Sequence, residues 1–198
     1  MQHAPRPNDI VTPRLLLRLL DHAFLDACLR GRVAEARALL GADVPTAWLA
    51  EVDFIARRWQ QLRTEPEYAP FAPRALLCRD APGVDLRMVG HCGFHSAPDA
   101  AYLGEHAALR SHLRAGPMVE IGYTLFVGDR GRGYATEAVR GMAAWAHAQH
   151  GVRCLVASIA PGNAASQRLA ARLGFVRVGG HVDVVDGPED VLVWTLPA

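Results

Sequence analysis

The residues of this 198-residue chain with the most pointed chemistry are Arg130-Gly131-Arg132-Gly133-Tyr134-Ala135, followed by Thr136. They stand between a run with strand character (residues 119–127) and an amphipathic helical run (residues 136–150). A glycine-rich turn at a helix N-terminus is an anion site: backbone N–H groups face outward and the helix dipole adds about half a positive charge. Gly131 and Gly133 let the backbone approach an anion without a Cβ in the way and permit positive φ. Arg130 and Arg132 can add charge-assisted bonds. An ordinary glycine turn with two solvated arginines has the same composition, so the hexapeptide alone leaves both readings open. Other phosphate loops fit worse. A P-loop ends in Gly-Lys-Ser/Thr, which is missing, and a dinucleotide fingerprint wants a third glycine where Thr136 stands and an acid on the next strand, where residues 152–159 have none.

The other residue types with chemical potential point away from metal. His91, Cys92 and His95 lie close together, with His106 and His112 beyond. On a strand His91 and His95 share a face while Cys92 points away, and no spacing matches a zinc template. His95 is left as a residue that can line an acceptor cleft. Cys28, Cys78, Cys92 and Cys154 form no CxxC pair, so they read as small buried hydrophobes of a reducing cytoplasm. A formal charge of +1 gives no basic field for nucleic acid. No apolar run reaches the roughly 20 residues a membrane span needs. Residues 1–9 are polar and proline-rich without the apolar core of a secretory signal, and residues 1–11 are taken as a flexible lead-in.

The elements that must position these residues follow from pattern. At about half apolar, the chain suits a single domain over 1–198. Residues 14–20 read as a first strand. Asp21 can cap a helix to about residue 30, and a second helix over 33–40 ends at Gly41. Pro45 starts a third, continuous through Trp48, Val52, Ile55, Trp59 and Leu62, whose apolar positions step by three or four. Trp48 and Trp59 are expected in the core, with a place in an acceptor pocket as the alternative. Residues 75–79 and 87–95 read as a hairpin around Asp80-Ala81-Pro82-Gly83. Residues 96–117 read as an insertion between strands, with a helical piece over 105–114. Strand 119–127, helix 136–150, strand 152–159 and helix 164–173 alternate, and two last strands (182–185, 191–196) flank a Gly187-Pro188 turn. The class is α/β (α+β), a mixed sheet covered by helices.

Taken with that order of elements, the loop resembles the GNAT acetyltransferase superfamily. Its Q/R-x-x-G-x-G/A pattern is matched by Arg130, Gly133 and Ala135, and the run from Gly133 to Ala138 is similar to the subgroup of ribosomal-protein N-terminal acetyltransferases. Four further stretches fall in the expected order: Thr12-Pro13-Arg14-Leu15; Val89-Gly90-His91-Cys92-Gly93-Phe94; Glu120-Ile121-Gly122-Tyr123; and Asn163-Ala164-Ala165-Ser166 with Leu173-Gly174-Phe175. Residues 21–74 match weakly.

The resemblance implies a mostly antiparallel sheet of six to seven strands, splayed between the fourth and fifth, with helices on both faces. Acetyl-CoA would be the cosubstrate. Its pantetheine arm would lie in the splay against backbone groups of Leu125, Phe126 and Val127, and its pyrophosphate on the loop formed by Arg130, Gly131, Arg132, Gly133, Tyr134, Ala135 and Thr136. Asn163 would face the pantetheine arm, although capping its own helix accounts for it as well. Glu120 corresponds to a strand glutamate that some members use as general base, directly or through water. A backbone N–H near Phe126 or Val127 could hold the oxyanion. Many members place a tyrosine on the helix after the Asn, but Ala170 stands there and no Tyr follows Ala135. Ser166 is the substitute proton donor, unless the thiolate leaves unaided. The implied activity is cytoplasmic N-acetylation of a primary amine, on a protein N-terminus or a small molecule. The alternative, motivated by the missing Tyr, is an acyl-CoA-binding module without catalysis. A homodimer stays open.

Overall fold

The computed structural model describes residues 5–79, 86–105, 107–112, 116–184 and 187–197. Among the described residues, eight strands make an open sheet in the order β1-β2-β3-β4-β5-β6-β8-β7. They are β1 (Ile10–Val11), β2 (Leu15–Leu19), β3 (Arg74–Cys78), β4 (Arg87–Phe94), β5 (Met118–Leu125), β6 (Cys154–Ile159), β7 (Val176–Asp183) and β8 (Gly187–Thr195). The helices are α1 (His22–Leu29), α2 (Val33–Leu40), α3 (Thr46–Leu49), α4 (Val52–Thr64), α5 (Ala101–Glu105), α6 (Tyr134–His150) and α7 (Ala164–Leu173). The expected six to seven strands are thus corrected to eight. The added β1 is only two residues long, below what alternation can signal, and exists because Ile10 and Val11 pair with Leu17 and Leu16. No helix of the described residues is long and apolar enough to cross a membrane.

Contacts divide the chain into two compact units, Met1–Gly93 with Tyr123–Gly141 and Phe94–Gly122 with Met142–Ala198. In the first, β2 runs antiparallel to β3 and β3 to β4. Its core gathers Leu16, Leu20, Phe24, Leu25, Leu40, Trp48, Ile55, Leu77 and Met88. Trp48 is completely buried there, while Trp59 packs at the margin of the same cluster. Local signals set the helix ends. The Asp21 carboxylate accepts the Phe24 N–H at 2.9 Å, and Gly41 closes α2 at φ 67°, a left-handed turn that favours glycine.

The third helix is not continuous. It breaks at Ala50-Glu51 into α3 and α4, because Glu51 leaves helical geometry (ψ 45°) and its carboxylate meets His91 Nε2 at 2.8 Å. Residues 5–11 make specific contacts within the first unit. Asp9 forms an ion pair with Arg18 at 2.8 Å in which both side chains are buried, and the Asn8 carbonyl accepts from Arg74. The expected turn at Asp80-Ala81-Pro82-Gly83 lies outside the described residues.

In the second unit β5 and β6 pair in parallel and β6, β8 and β7 are antiparallel. Leu103 and Leu109, from the segment expected to be an insertion, are buried with Met118, Cys154, Val156, Val191 and Val193. Asp99 closes that segment onto the sheet: its N–H donates to the Met118 carbonyl at 2.8 Å and its carboxylate accepts the Met118 N–H at 2.9 Å. Gly187 and Pro188 open β8 rather than forming the turn before it, since they pair with Asp183 and Val182. The parallel ladder ends at Glu120↔Val156, although β5 continues to Leu125 and β6 to Ile159.

Candidate active site

The loop after β5 is built in two steps. Val127–Asp129 forms a single 3-10 turn, and the buried Asp129 accepts a 2.8 Å bond from Arg87 at the start of β4. Burial alone would lower the Arg87 pKa, but the bond and charge of Asp129 raise it on balance. Residues 130–133 are exposed, and Gly131 and Gly133 take φ of 77° and 81°. Among the described residues, none lies within 4 Å of where a Gly131 Cβ would sit. α6 then begins, and its first intrahelical bond runs from the Glu137 N–H to the Gly133 carbonyl at 3.1 Å. The backbone N–H groups of the first helical turn, those of Ala135 and Thr136 among them, precede that bond and point out of the helix start.

Two motifs far apart in sequence hold this loop. Glu137 accepts from the Thr12 hydroxyl, the Arg14 N–H and Arg14 Nε, each at 2.7 Å. Arg14 Nη1 also donates to the Arg132 carbonyl at 2.8 Å, and its guanidinium lies 4.9 Å from the centre of the Tyr134 ring. Fixing a loop carbonyl on one side leaves N–H groups on the other for an anion. Burial opposes the Glu137 charge, but the bonds from Thr12 and Arg14 outweigh it and hold the carboxyl below its ordinary range. Tyr134 and Ala135 are buried, and the Tyr134 hydroxyl takes a bond from the Cys78 thiol at 3.2 Å. The side chain of Tyr134 thus packs into the fold of the first unit.

The other expected backbone contacts divide. Arg130 Nε donates to the Leu125 carbonyl at 3.1 Å, and the Phe126 N–H donates to the Val89 carbonyl at 3.0 Å. Of the two N–H groups considered for an oxyanion, Phe126 is therefore engaged in the sheet, which directs attention to Val127, 79% exposed at the head of the 3-10 turn.

In the second unit, Glu120 is 7% exposed on β5. One carboxylate oxygen accepts the Ser158 hydroxyl of β6 at 2.6 Å, and the other lies 3.4 Å from His95 Nδ1. The His95 N–H donates to the Glu120 carbonyl at 2.9 Å, so this histidine is tied to Glu120 through both backbone and ring. Asn163 caps α7, its side-chain oxygen accepting the Ser166 N–H at 3.1 Å. Ser166 is half-buried in the first turn and Ala170 is buried. All four cysteines are buried and unbridged, and no group of three His, Cys, Asp or Glu able to hold a metal occurs among the described residues.

Sequence reasoning missed Ser158, Asp129 and the part played by Arg14 and Glu137. The last two lie inside stretches already singled out, Thr12-Pro13-Arg14-Leu15 and Gly133 to Ala138, so their charges were a usable signal that the stretches meet. Ser158 carried none, because a serine in an apolar strand is unremarkable until its neighbour is known.

Comparison with known proteins agrees with this architecture. Residues 14–176 match the family model of the acetyltransferase (GNAT) domain. A search of curated protein sequences found no match. Among solved structures, an acetyltransferase of the GNAT family from Bacillus anthracis aligns at 18% identity and TM-score 0.57, over 94% of this chain and 98% of that one. The ribosomal-protein-S5-alanine acetyltransferase of Vibrio fischeri aligns at 14% identity and TM-score 0.60, over 94% and 96%. RimL, a ribosomal L7/L12 alpha-N-protein acetyltransferase in complex with coenzyme A, aligns at 16% and 0.59, over 95% and 98%. At such identities the likeness is one of fold. The family match spans well over half the sequence, and the chain belongs to the GNAT acetyltransferase family.

Proposed function

We propose that the chain is an N-acetyltransferase that moves the acetyl group of acetyl-CoA to a primary amine by direct attack on the thioester. The observation that carries this is the loop at the start of α6, where Gly131 and Gly133 are left-handed, Arg14 holds the Arg132 carbonyl, and the first N–H groups of the helix lack intrahelical acceptors. That loop takes the pyrophosphate, with Arg130 and Arg132 supplying charge. Asn163 and the stretch of β5 that runs past its ladder with β6 take the pantetheine arm. The RimL complex with coenzyme A and the immunity acetyltransferase MccE, solved with acetyl-CoA and AMP, support the choice of cosubstrate.

In the reaction the amine nitrogen forms a bond to the acetyl carbon, the carbonyl oxygen gains negative charge, and the C–S bond then breaks. Amines are mostly protonated near neutral pH, with unperturbed pKa values of about 7.7–8.0 for an α-amine and about 10.4 for lysine. A base must therefore remove a proton, and Glu120 is the candidate, acting directly or through an intervening group. The Val127 N–H steadies the oxyanion. The thiolate departs with its electron pair and is protonated by Ser166 or by solvent. The acceptor is a protein N-terminus or a small-molecule amine, and the ribosomal-protein acetyltransferases among the structural relatives favour the first.

The test is CoA release followed with a thiol reagent across a panel of peptides with free α-amines, polyamines and amino sugars. Release that needs both acetyl-CoA and an amine is expected. Binding of acetyl-CoA with no amine-dependent release anywhere in the panel would overturn the reading and leave an acyl-CoA-binding module.

A further inference from the structure

We propose that His95 is the catalytic residue that accepts the proton of the acceptor amine, and that Glu120 and Ser158 act behind it as positioning residues. This deepens the acetyl-transfer reading and rests on it. The Glu120 carboxylate is poorly placed to meet an amine itself. Its side chain is 9% exposed, one oxygen takes the Ser158 hydroxyl at 2.6 Å and the other faces His95 Nδ1 at 3.4 Å. The ring of His95 is 41% exposed, so of the two groups it is the one a solvated substrate can reach. Its backbone is fixed to the same strand by the 2.9 Å bond to the Glu120 carbonyl. Gly122, two residues beyond Glu120 and hence on the same face of β5, makes room for the ring: a Cβ there would lie 2.6 Å from His95 Nε2.

A carboxylate opposite Nδ1 favours the tautomer with its proton on that nitrogen and assigns the lone pair to Nε2. The step balances. The amine nitrogen bonds to the acetyl carbon, its proton passes to Nε2, the C–S bond breaks with both electrons going to sulfur, and the imidazolium returns the proton to the thiolate or to water.

The experiment uses the full chain, acetyl-CoA and an acceptor from the panel. His95→Ala should lower kcat by about 10²–10⁴-fold while KM for acetyl-CoA stays within about twofold, and added imidazole should restore part of the rate. Glu120→Gln should lower kcat by roughly tenfold to a hundredfold, less than loss of the base itself, and the double variant should be no slower than His95→Ala alone. Independently of turnover, ring ¹⁵N shifts should place the His95 proton on Nδ1 in the wild type and lose that preference in Glu120→Gln. Unchanged kcat in His95→Ala, a loss that imidazole does not relieve, or a proton on Nε2 in the wild type would each overturn the assignment. A wild type that releases CoA with no amine is a different failure: the acetyl-transfer reading falls, and the role of His95 falls with it.

Discussion

Glu137 shows how a single carboxylate can join distant motifs. It gathers three bonds from Thr12 and Arg14, and Arg14 in turn holds the Arg132 carbonyl. Bonds to a charged group are worth about 1.5–3 kcal/mol when buried, and the partial exposure of Arg14 reduces that. Glu137→Gln should therefore destabilise the chain by about 1–2 kcal/mol at neutral pH. The sign with pH follows from the lowered pKa. A carboxyl held below its ordinary value of 4.5 contributes stability that is present above 4.5 and is lost as pH falls through the folded value. Urea melts from pH 7 to pH 3 should show the wild type losing its advantage over Glu137→Gln below about 4.5. A constant gap across that range would contradict the assigned role. The cysteines give a second prediction at this scale. Burial pushes the Cys92 thiol up to about 12 and raises Cys28 and Cys154 as well. Only the thiolate reacts, so the native chain should resist a disulfide reagent at pH 8 and give four thiols only on denaturation. Rapid modification of Cys92 in the native state would be inconsistent with its burial.

Among the elements, those with local signals were legible in the sequence. Asp21, Gly41, Asn163 and Gly174 mark helix ends through bonds or φ values that reach no further than four residues, and all four stand where the structure has them. The break between α3 and α4 was not legible, because it depends on Glu51 meeting His91 across 40 positions, a contact that overrides a continuous apolar stripe. The Asp9–Arg18 pair was not legible for the same reason: Asp9 reads as a solvated charge until its position beside Arg18 is known. Asn163 has two readings at this scale, cap and ligand contact, and substitution separates them. Asn163→Ala should lose about 1 kcal/mol of stability with the cap. Asn163→Asp keeps an acceptor for the Ser166 N–H and suits the positive end of α7, so its stability should match the wild type. A rise in KM for acetyl-CoA in the Asp variant, at unchanged melting temperature, assigns Asn163 to the ligand as well. Unchanged KM in both variants confines it to the cap.

For the whole molecule, the candidate site was legible in proportion to how much of it is backbone. The loop at the start of α6 announces itself because glycines and a helix start are sequence features. The grouping of Glu120 with Ser158 and His95 does not, since strand pairing brings those side chains together. This difference bears on how the chain should respond to its cosubstrate. A ligand that binds only the folded state stabilises it by RT ln(1 + [L]/Kd), about 2.7 kcal/mol at a hundredfold excess over Kd. For a chain of this size that corresponds to a rise in melting temperature of roughly 5–10 °C. In the proposed site the pyrophosphate contact is electrostatic, so the rise should shrink as ionic strength increases. Gly133→Val should abolish it, because a branched Cβ at φ 81° intrudes on the side of the loop where the proposed site receives the anion. The same substitution forces a left-handed conformation on a β-branched residue and sets a Cβ 3.3 Å from Arg14 Nη2, so the variant should itself melt lower, with about 1–2 kcal/mol lost. Gly131→Ala separates the two effects. It bears a similar backbone penalty at φ 77°, but no atom of the described residues lies within 4 Å of its Cβ. Its basal stability should fall by a comparable amount, and whatever further loss of acetyl-CoA stabilisation it shows measures how closely the ligand approaches that side of the loop. Full acetyl-CoA stabilisation in Gly133→Val, read by calorimetry against its own ligand-free melt, would remove the loop from the site.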